Sequence, residues 1–187
     1  VALLQHDPSL PHMAQDLYQA GVHRINISLD TLDEDKYRRI TRLGSLADAL
    51  AGLRAAAEAG MAPIKINTVL IGGFNDDEIP ALADLSRRYP VELRFIELMP
   101  IGHAAPFGPE AYLPSQAVLE RLPQLQREGD CGVAALYRLP GAAGRVGLIS
   151  PLSHHFCGQC NRLRLTADGK LRPCLHSSDE VPLRGLH

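Results

Sequence analysis

Between Ser9 and Met99 the hydrophobic residues alternate between the period of a helix and the period of a strand, and that alternation leaves few folds open. Leu10, Met13, Leu17 and Ala20 recur at helical spacing from Ser9 to Ala20, with Gly21 as a stop. Val22 to Ser28 then alternates residue by residue, as a strand does. A short charged helix is predicted from Asp33 to Thr41. A longer alanine-rich one is predicted from Leu46 to Ala59, capped by Ser45 and ended at Gly60. Pro63 to Leu70 is the second predicted strand, Asp76 to Tyr89 a third main helix with Pro80 near its first turn, and Val91 to Met99 the third strand. Such an order predicts βα units and a parallel sheet, read most economically as part of a barrel. Polar residues fall at the carboxyl ends of these strands, where parallel sheets carry their sites: Ser28 and Asp30, Asn75, and Glu97 beside Met99. Lys65 shares a strand face with Asn67 and Val69; inside a barrel it requires an anion, whereas at the surface it requires nothing.

After Pro100 the composition shifts to Gly, Pro and Ala, and a second region begins. Ile101 to Gly108 reads as a loop and Ser115 to Gln124 as a helix. Val133 to Leu139 and Arg145 to Ile149 read as a hairpin leading into a cysteine loop. The division expected is therefore 1–100 and 101–187. Arg162 to Thr166 and Lys170 to Arg172 suit a further hairpin turned at Asp168-Gly169, and Val181 to His187 resembles the start of a helix.

The second region carries the chemistry. In Cys157-Gly158-Gln159-Cys160-Asn161-Arg162-Leu163-Arg164 two thiols stand at ligand spacing, and Cys174 returns after the Asp168-Gly169 turn. Spacing alone admits a structural zinc, with His154, His155 or His176 as fourth ligand, as readily as an iron-sulfur cluster. Three thiolates also leave one coordination position for a substrate atom. Arg162 and Arg164 point to one side if their run is extended; they are either a solvated strand face or a phosphate grip beside the metal. Cys131 has no partner at ligand spacing and reads as an ordinary thiol.

Nineteen basic and 21 acidic residues give a formal charge of −2, which argues against a strongly basic nucleic-acid face. No run reaches the roughly 18 apolar residues of a bilayer span, and the opening residues lack a signal-peptide pattern, so a cytoplasmic location away from membranes is expected. Clustered cysteines fit metal chemistry in a reducing compartment better than a disulfide framework.

Four segments in order, Asn26-Ile27-Ser28-Leu29-Asp30-Thr31-Leu32-Asp33, Lys65-Ile66-Asn67-Thr68-Val69, Arg94-Phe95-Ile96-Glu97-Leu98-Met99-Pro100 and the C-x2-C-N-R-L-R-x9-C element, resemble the molybdenum-cofactor biosynthesis protein A family. These are radical S-adenosylmethionine enzymes, the GTP 3′,8-cyclases. The resemblance implies an α/β fold with a partial TIM-like barrel and a C-terminal auxiliary [4Fe-4S] cluster on Cys157, Cys160 and Cys174. By the same resemblance Lys65, Arg162, Leu163 and Arg164 contact GTP, with Arg94 as a lesser candidate, while Ser28 and Met99 contact S-adenosyl-L-methionine. The implied reaction converts GTP to (8S)-3′,8-cyclo-7,8-dihydroguanosine 5′-triphosphate. Cyclic pyranopterin monophosphate synthase acts downstream in the implied pathway, and a homodimer is the implied assembly. The family's other cluster uses an N-terminal C-x3-C-x2-C motif, which this sequence lacks, as it lacks the family's tail with paired glycines. A fragment starting just after the third barrel strand is the expectation. The alternatives are a zinc-stabilised binding module and a different radical enzyme with an auxiliary cluster.

Overall fold

In the computed structural model, which describes residues 2–4, 9–101, 107–154, 157–160, 162–175, 177 and 179–183, the alternation becomes one open sheet. It has seven strands in the order β1-β2-β3-β4-β7-β6-β5. They are β1 (Ala2–Leu4), β2 (Ile25–Ser28), β3 (Ile64–Leu70), β4 (Val91–Glu97), β5 (Gln126–Cys131), β6 (Ala134–Arg138) and β7 (Arg145–Ile149). Neighbours from β1 to β4, and β4 with β7, run parallel, while β7, β6 and β5 run antiparallel. The α/β class read from the sequence holds, and the sheet does not close into a barrel among the described residues. A smaller sheet, in the order β10-β9-β8, follows the cysteine loop: β8 (Arg164–Leu165), β9 (Lys170–Arg172) and β10 (Val181–Pro182).

Strict alternation decides which face of the large sheet is core. Ile25 and Ile27 of β2, Ile64, Ile66 and Leu70 of β3, and Leu93 and Phe95 of β4 are buried on one face. Helices α1 (Leu10–Gln19), α3 (Leu46–Glu58) and α4 (Ile79–Ala83) cover that face with Leu10, Ala14, Leu53, Ala56, Ile79 and Leu82 in the same cluster. Gly52 lets α1 approach α3 closely, because a Cβ there would stand 3.0 Å from Leu10 Cδ2. The intervening residues, Asn26, Ser28, Lys65, Asn67, Arg94 and Ile96, stand half-buried on the opposite face. That second face carries the site.

Side chains cap the starts of α2 (Glu34–Thr41) and α3, while Ser115 makes no cap bond to α6 (Gln116–Arg121). The Asp33 carboxylate accepts the Lys36 N–H at 2.9 Å to open α2, and Ser45 Oγ accepts the Asp48 N–H at 3.3 Å to open α3. No helix among the described residues is long and apolar enough to cross a membrane.

Several expectations are corrected. The helix from Asp76 to Tyr89 is instead a 3-10 turn (Asp76–Glu78), then α4, then α5 (Leu85–Arg88). Near the second break Ser86 Oγ donates to the Ala83 carbonyl at 2.7 Å, and Gly144 N donates to the Ser86 carbonyl, so local and tertiary bonds compete with the helical ladder. The helix starting near Ser115 is only α6 (Gln116–Arg121), because Leu122 precedes Pro123 and leaves the helical region. Strands β1 and β5 were not expected. The first stands where the chain was expected to begin just past a barrel strand; the second is a polar, exposed edge with a bulge between Arg127 and Gly129. The predicted terminal helix is also overturned: Val181–Pro182 forms β10 against β9, and residues 184–187 lie outside the described residues.

Candidate functional site

At the carboxyl ends of β3, β4 and β7 the half-buried face opens into a cavity of about 430 Å³. One wall comes from the large sheet, through Asn67, Arg94, Ile96, Met99, Ile149 and Pro151. The other comes from the cysteine loop and the small sheet, through Cys157, Cys160, Arg162, Arg164, Cys174 and their neighbours. The volume lies within the range of about 300–1,000 Å³ usual for small-ligand sites.

A 3-10 turn over Cys157–Gln159, in which Cys160 N donates to the Cys157 carbonyl at 3.2 Å, brings the first two cysteines together. The hairpin of β8 and β9, closed at Gly169 with φ 82°, returns Cys174 to the same cavity. All three cysteines are exposed. No group of three or more His, Cys, Asp or Glu side chains among the described residues could hold a metal ion. One tetrahedral ion needs its sulfurs to converge at about 2.3 Å. Three cysteines on one cavity are the donor chemistry of an iron-sulfur cluster. Of the proposed fourth zinc ligands, His154 lines a different cavity, with Gln116, Arg127 and Tyr137. His155 and His176 lie outside the described residues.

Charge around the cavity is sorted by strand register. Arg164 and Arg172 face each other across β8 and β9, a like-charge pair that is unfavourable unless one member is neutralised. Glu180 neutralises Arg172 at 2.7 Å and also bonds Lys170 at 3.1 Å. Arg94 is held by Glu92, two residues back on β4, at 2.5 Å. Arg162 and Arg164 have no carboxylate partner among the described residues, so two guanidiniums face the cavity uncompensated.

The structure gathers Met99, Arg162, Arg164, Cys157, Cys160 and Cys174 on the cavity; Ser28, Lys65 and Leu163 do not line it. Ser28 shares a lateral row with Asn67, Arg94 and Gly147, two strands from Arg94. Lys65 stands two residues before Asn67 on the same face, about 6–7 Å further along the strand. Leu163 is 67% exposed. Asn67 belongs to the cavity wall although the sequence reading gave it no role; its shared face with Lys65 was the available signal. The other strand-end polar residues are internal ties. Asp30 Oδ1 accepts Val69 N at 2.8 Å, and the buried Asn75 bonds Ile71 N and the carbonyls of Asp30 and Val69. Glu97, also buried, accepts from Ser115, Leu152 and Ser153.

Residues 2–86, the parallel βα half, match the Radical SAM superfamily. Residues 91–186, just over half of the chain, match Molybdenum Cofactor Synthesis C, and the chain belongs to that family. Among similar proteins, one from Alkaliphilus oremlandii named GTP 3′,8-cyclase is 46% identical over 98% of this chain and 58% of its own length. A second of that name, from Moorella thermoacetica, is 48% identical over 99% of this chain and 59% of its own length. The chain thus spans under two thirds of these relatives.

Proposed function

We propose that the protein is a GTP 3′,8-cyclase and that the cavity holds GTP against an auxiliary [4Fe-4S] cluster on Cys157, Cys160 and Cys174. The observation that carries this reading is the meeting on one cavity of three cysteine thiols and two guanidiniums that have no carboxylate partner among the described residues. When bound, the cluster supplies an iron without a protein thiolate for the guanine, while S-adenosyl-L-methionine with a second [4Fe-4S] cluster, whose motif this sequence lacks, supplies the radical chemistry.

The chain's own residues bind and orient. Arg162 and Arg164 offer paired N–H donors to the triphosphate. Lys65, deeper on the same sheet face, extends toward the same anion, and position 163 contributes through its backbone. Arg94, fixed by Glu92, and Asn67 bound the nucleotide from the opposite wall. Ser28 and Met99 take S-adenosyl-L-methionine at the strand ends. Ile96, Met99, Ile149 and Pro151 present an apolar wall that excludes water around a reactive centre. Residues 1–100 form the radical-enzyme half in this reading, and 101–187 the cluster-bearing half. A cytoplasmic homodimer that passes its product to cyclic pyranopterin monophosphate synthase belongs to the same proposal.

Anaerobic reconstitution of the chain with iron and sulfide tests it. The expected result is roughly four irons per chain and GTP binding that ATP does not match. A colourless chain holding one zinc and indifferent to GTP would overturn the reading.

A further inference from the structure

We propose that Glu97 is a positioning residue, a buried carboxylate at the end of β4 that sets where the cysteine-bearing loop stands beside the cavity. The inference rests on the cluster reading above. Glu97 is 1% exposed. Its Oε1 accepts from Ser115 N at 2.9 Å and from Ser153 Oγ; its Oε2 accepts from Leu152 N and Ser153 N, both at 3.0 Å. Ser115 Oγ and Ser150 Oγ, 2.6 Å apart, close the knot. No cation pairs with Glu97 among the described residues, so its charge is balanced by N–H and O–H groups of two distant segments.

Those segments matter because of what they carry. Met99 lies two residues beyond Glu97, Pro151 lies on the tied loop, and Cys157 follows Ser153 by four residues. The loop is also a partition. Ile149 and Pro151 line the cysteine cavity, whereas Leu148, Ser150 and His154 line a second cavity of about 430 Å³ behind it. Leu148 and Ile149 anchor the start of this segment in the core, and beyond Ser150 the Glu97 carboxylate ties Leu152 and Ser153 between the two cavities. Sequence reasoning noticed Glu97 only as a polar strand end.

The test is Glu97→Gln, whose amide must present N–H to at least one backbone N–H whichever way it turns. Leu82→Ala, a fully buried change in α4 away from the cavity, serves as the stability control. Four quantities are read on the reconstituted chain: the melting temperature, the rate of iron loss to a chelator, the spin-resonance spectrum of the reduced cluster, and amide exchange at Leu152 and Ser153. We expect Glu97→Gln to lose iron about tenfold faster with an altered spectrum and faster exchange, the scale usual for residues that orient metal ligands. Leu82→Ala should keep the wild-type rate and spectrum despite an equal fall in melting temperature. The inference is overturned if Glu97→Gln keeps the wild-type rate and spectrum, or if Leu82→Ala loses iron equally fast. Should Glu97→Gln fail to fold, Ser153→Ala is read against the same criteria. A wild-type chain that takes up no cluster refutes the cavity reading instead, and exchange at Leu152 and Ser153 in the metal-free chain still decides whether Glu97 holds the loop.

Discussion

Arg94 occupies the space that a side chain on Gly147 would fill. The two residues pair across β4 and β7, and a Cβ on Gly147 would stand 3.3 Å from Arg94 Cγ. The missing side chain on one strand therefore makes room for a guanidinium on the next, and Glu92 fixes its direction. Gly147→Val should displace Arg94 at an overpacking cost of about 1–3 kcal/mol. We expect GTP affinity, measured by equilibrium dialysis, to fall about tenfold, with Gly147→Ala in between.

Asn75 ties the ends of β2 and β3. Its Oδ1 accepts Ile71 N at 2.9 Å, and its Nδ2 donates to the Asp30 carbonyl at 2.7 Å and the Val69 carbonyl at 2.8 Å. Asn75→Ala should cost about 2–4 kcal/mol, read from urea unfolding, because it leaves buried backbone groups unpaired.

Much of this was legible in the sequence, for physical reasons. Ile64, Ile66 and Leu70 alternate with Lys65, Asn67 and Val69 because one face of β3 packs on helices and the other does not. The cysteine loop declared itself because ligand spacing is a local property. Strand β5 did not, since Gln126–Cys131 is an exposed edge whose polar residues have no buried face to mark. The Glu97 knot was equally hidden: its partners are mostly backbone N–H groups, of Ser115, Leu152 and Ser153, that any residue except proline would supply. Ser28 and Lys65 share the half-buried face with Asn67 and Arg94, but neither lines the cavity: Ser28 is offset laterally, through a register that no single strand encodes, and Lys65 by two residues along β3.

The Glu97 carboxyl should make stability depend on acid. Burial alone would raise its pKa, but the Ser153 hydroxyl and the N–H groups of Ser115, Ser153 and Leu152 outweigh burial and hold it below its ordinary 4.5. A carboxyl depressed in the folded state contributes stability that is fully present above the unfolded value and lost as pH falls through the folded one. In metal-free chains the gap in unfolding midpoint between wild type and Glu97→Gln should therefore be constant near neutrality and shrink below about pH 4.5. A gap unchanged down to pH 3 would show that the carboxylate is not the titrating group.

At the turn behind the cysteine loop, the Lys170 ammonium and the Thr166 hydroxyl push the Asp168 carboxyl down to about 2. Its contribution to the hairpin is complete above its ordinary 3.8 and is lost as pH falls through about 2. A carbon chemical-shift titration of Asp168 should show a midpoint near 2, and Lys170→Ala should return it toward 3.8.

The most direct test of the cavity as a nucleotide site is GTP affinity of the reconstituted chain against its Arg162→Ala and Arg164→Ala variants, with iron content followed in parallel. Each variant should keep the cluster and lose about 1.5–3 kcal/mol of binding, the worth of a charged hydrogen bond. Unchanged GTP affinity in both variants, with the cluster intact, would contradict the account.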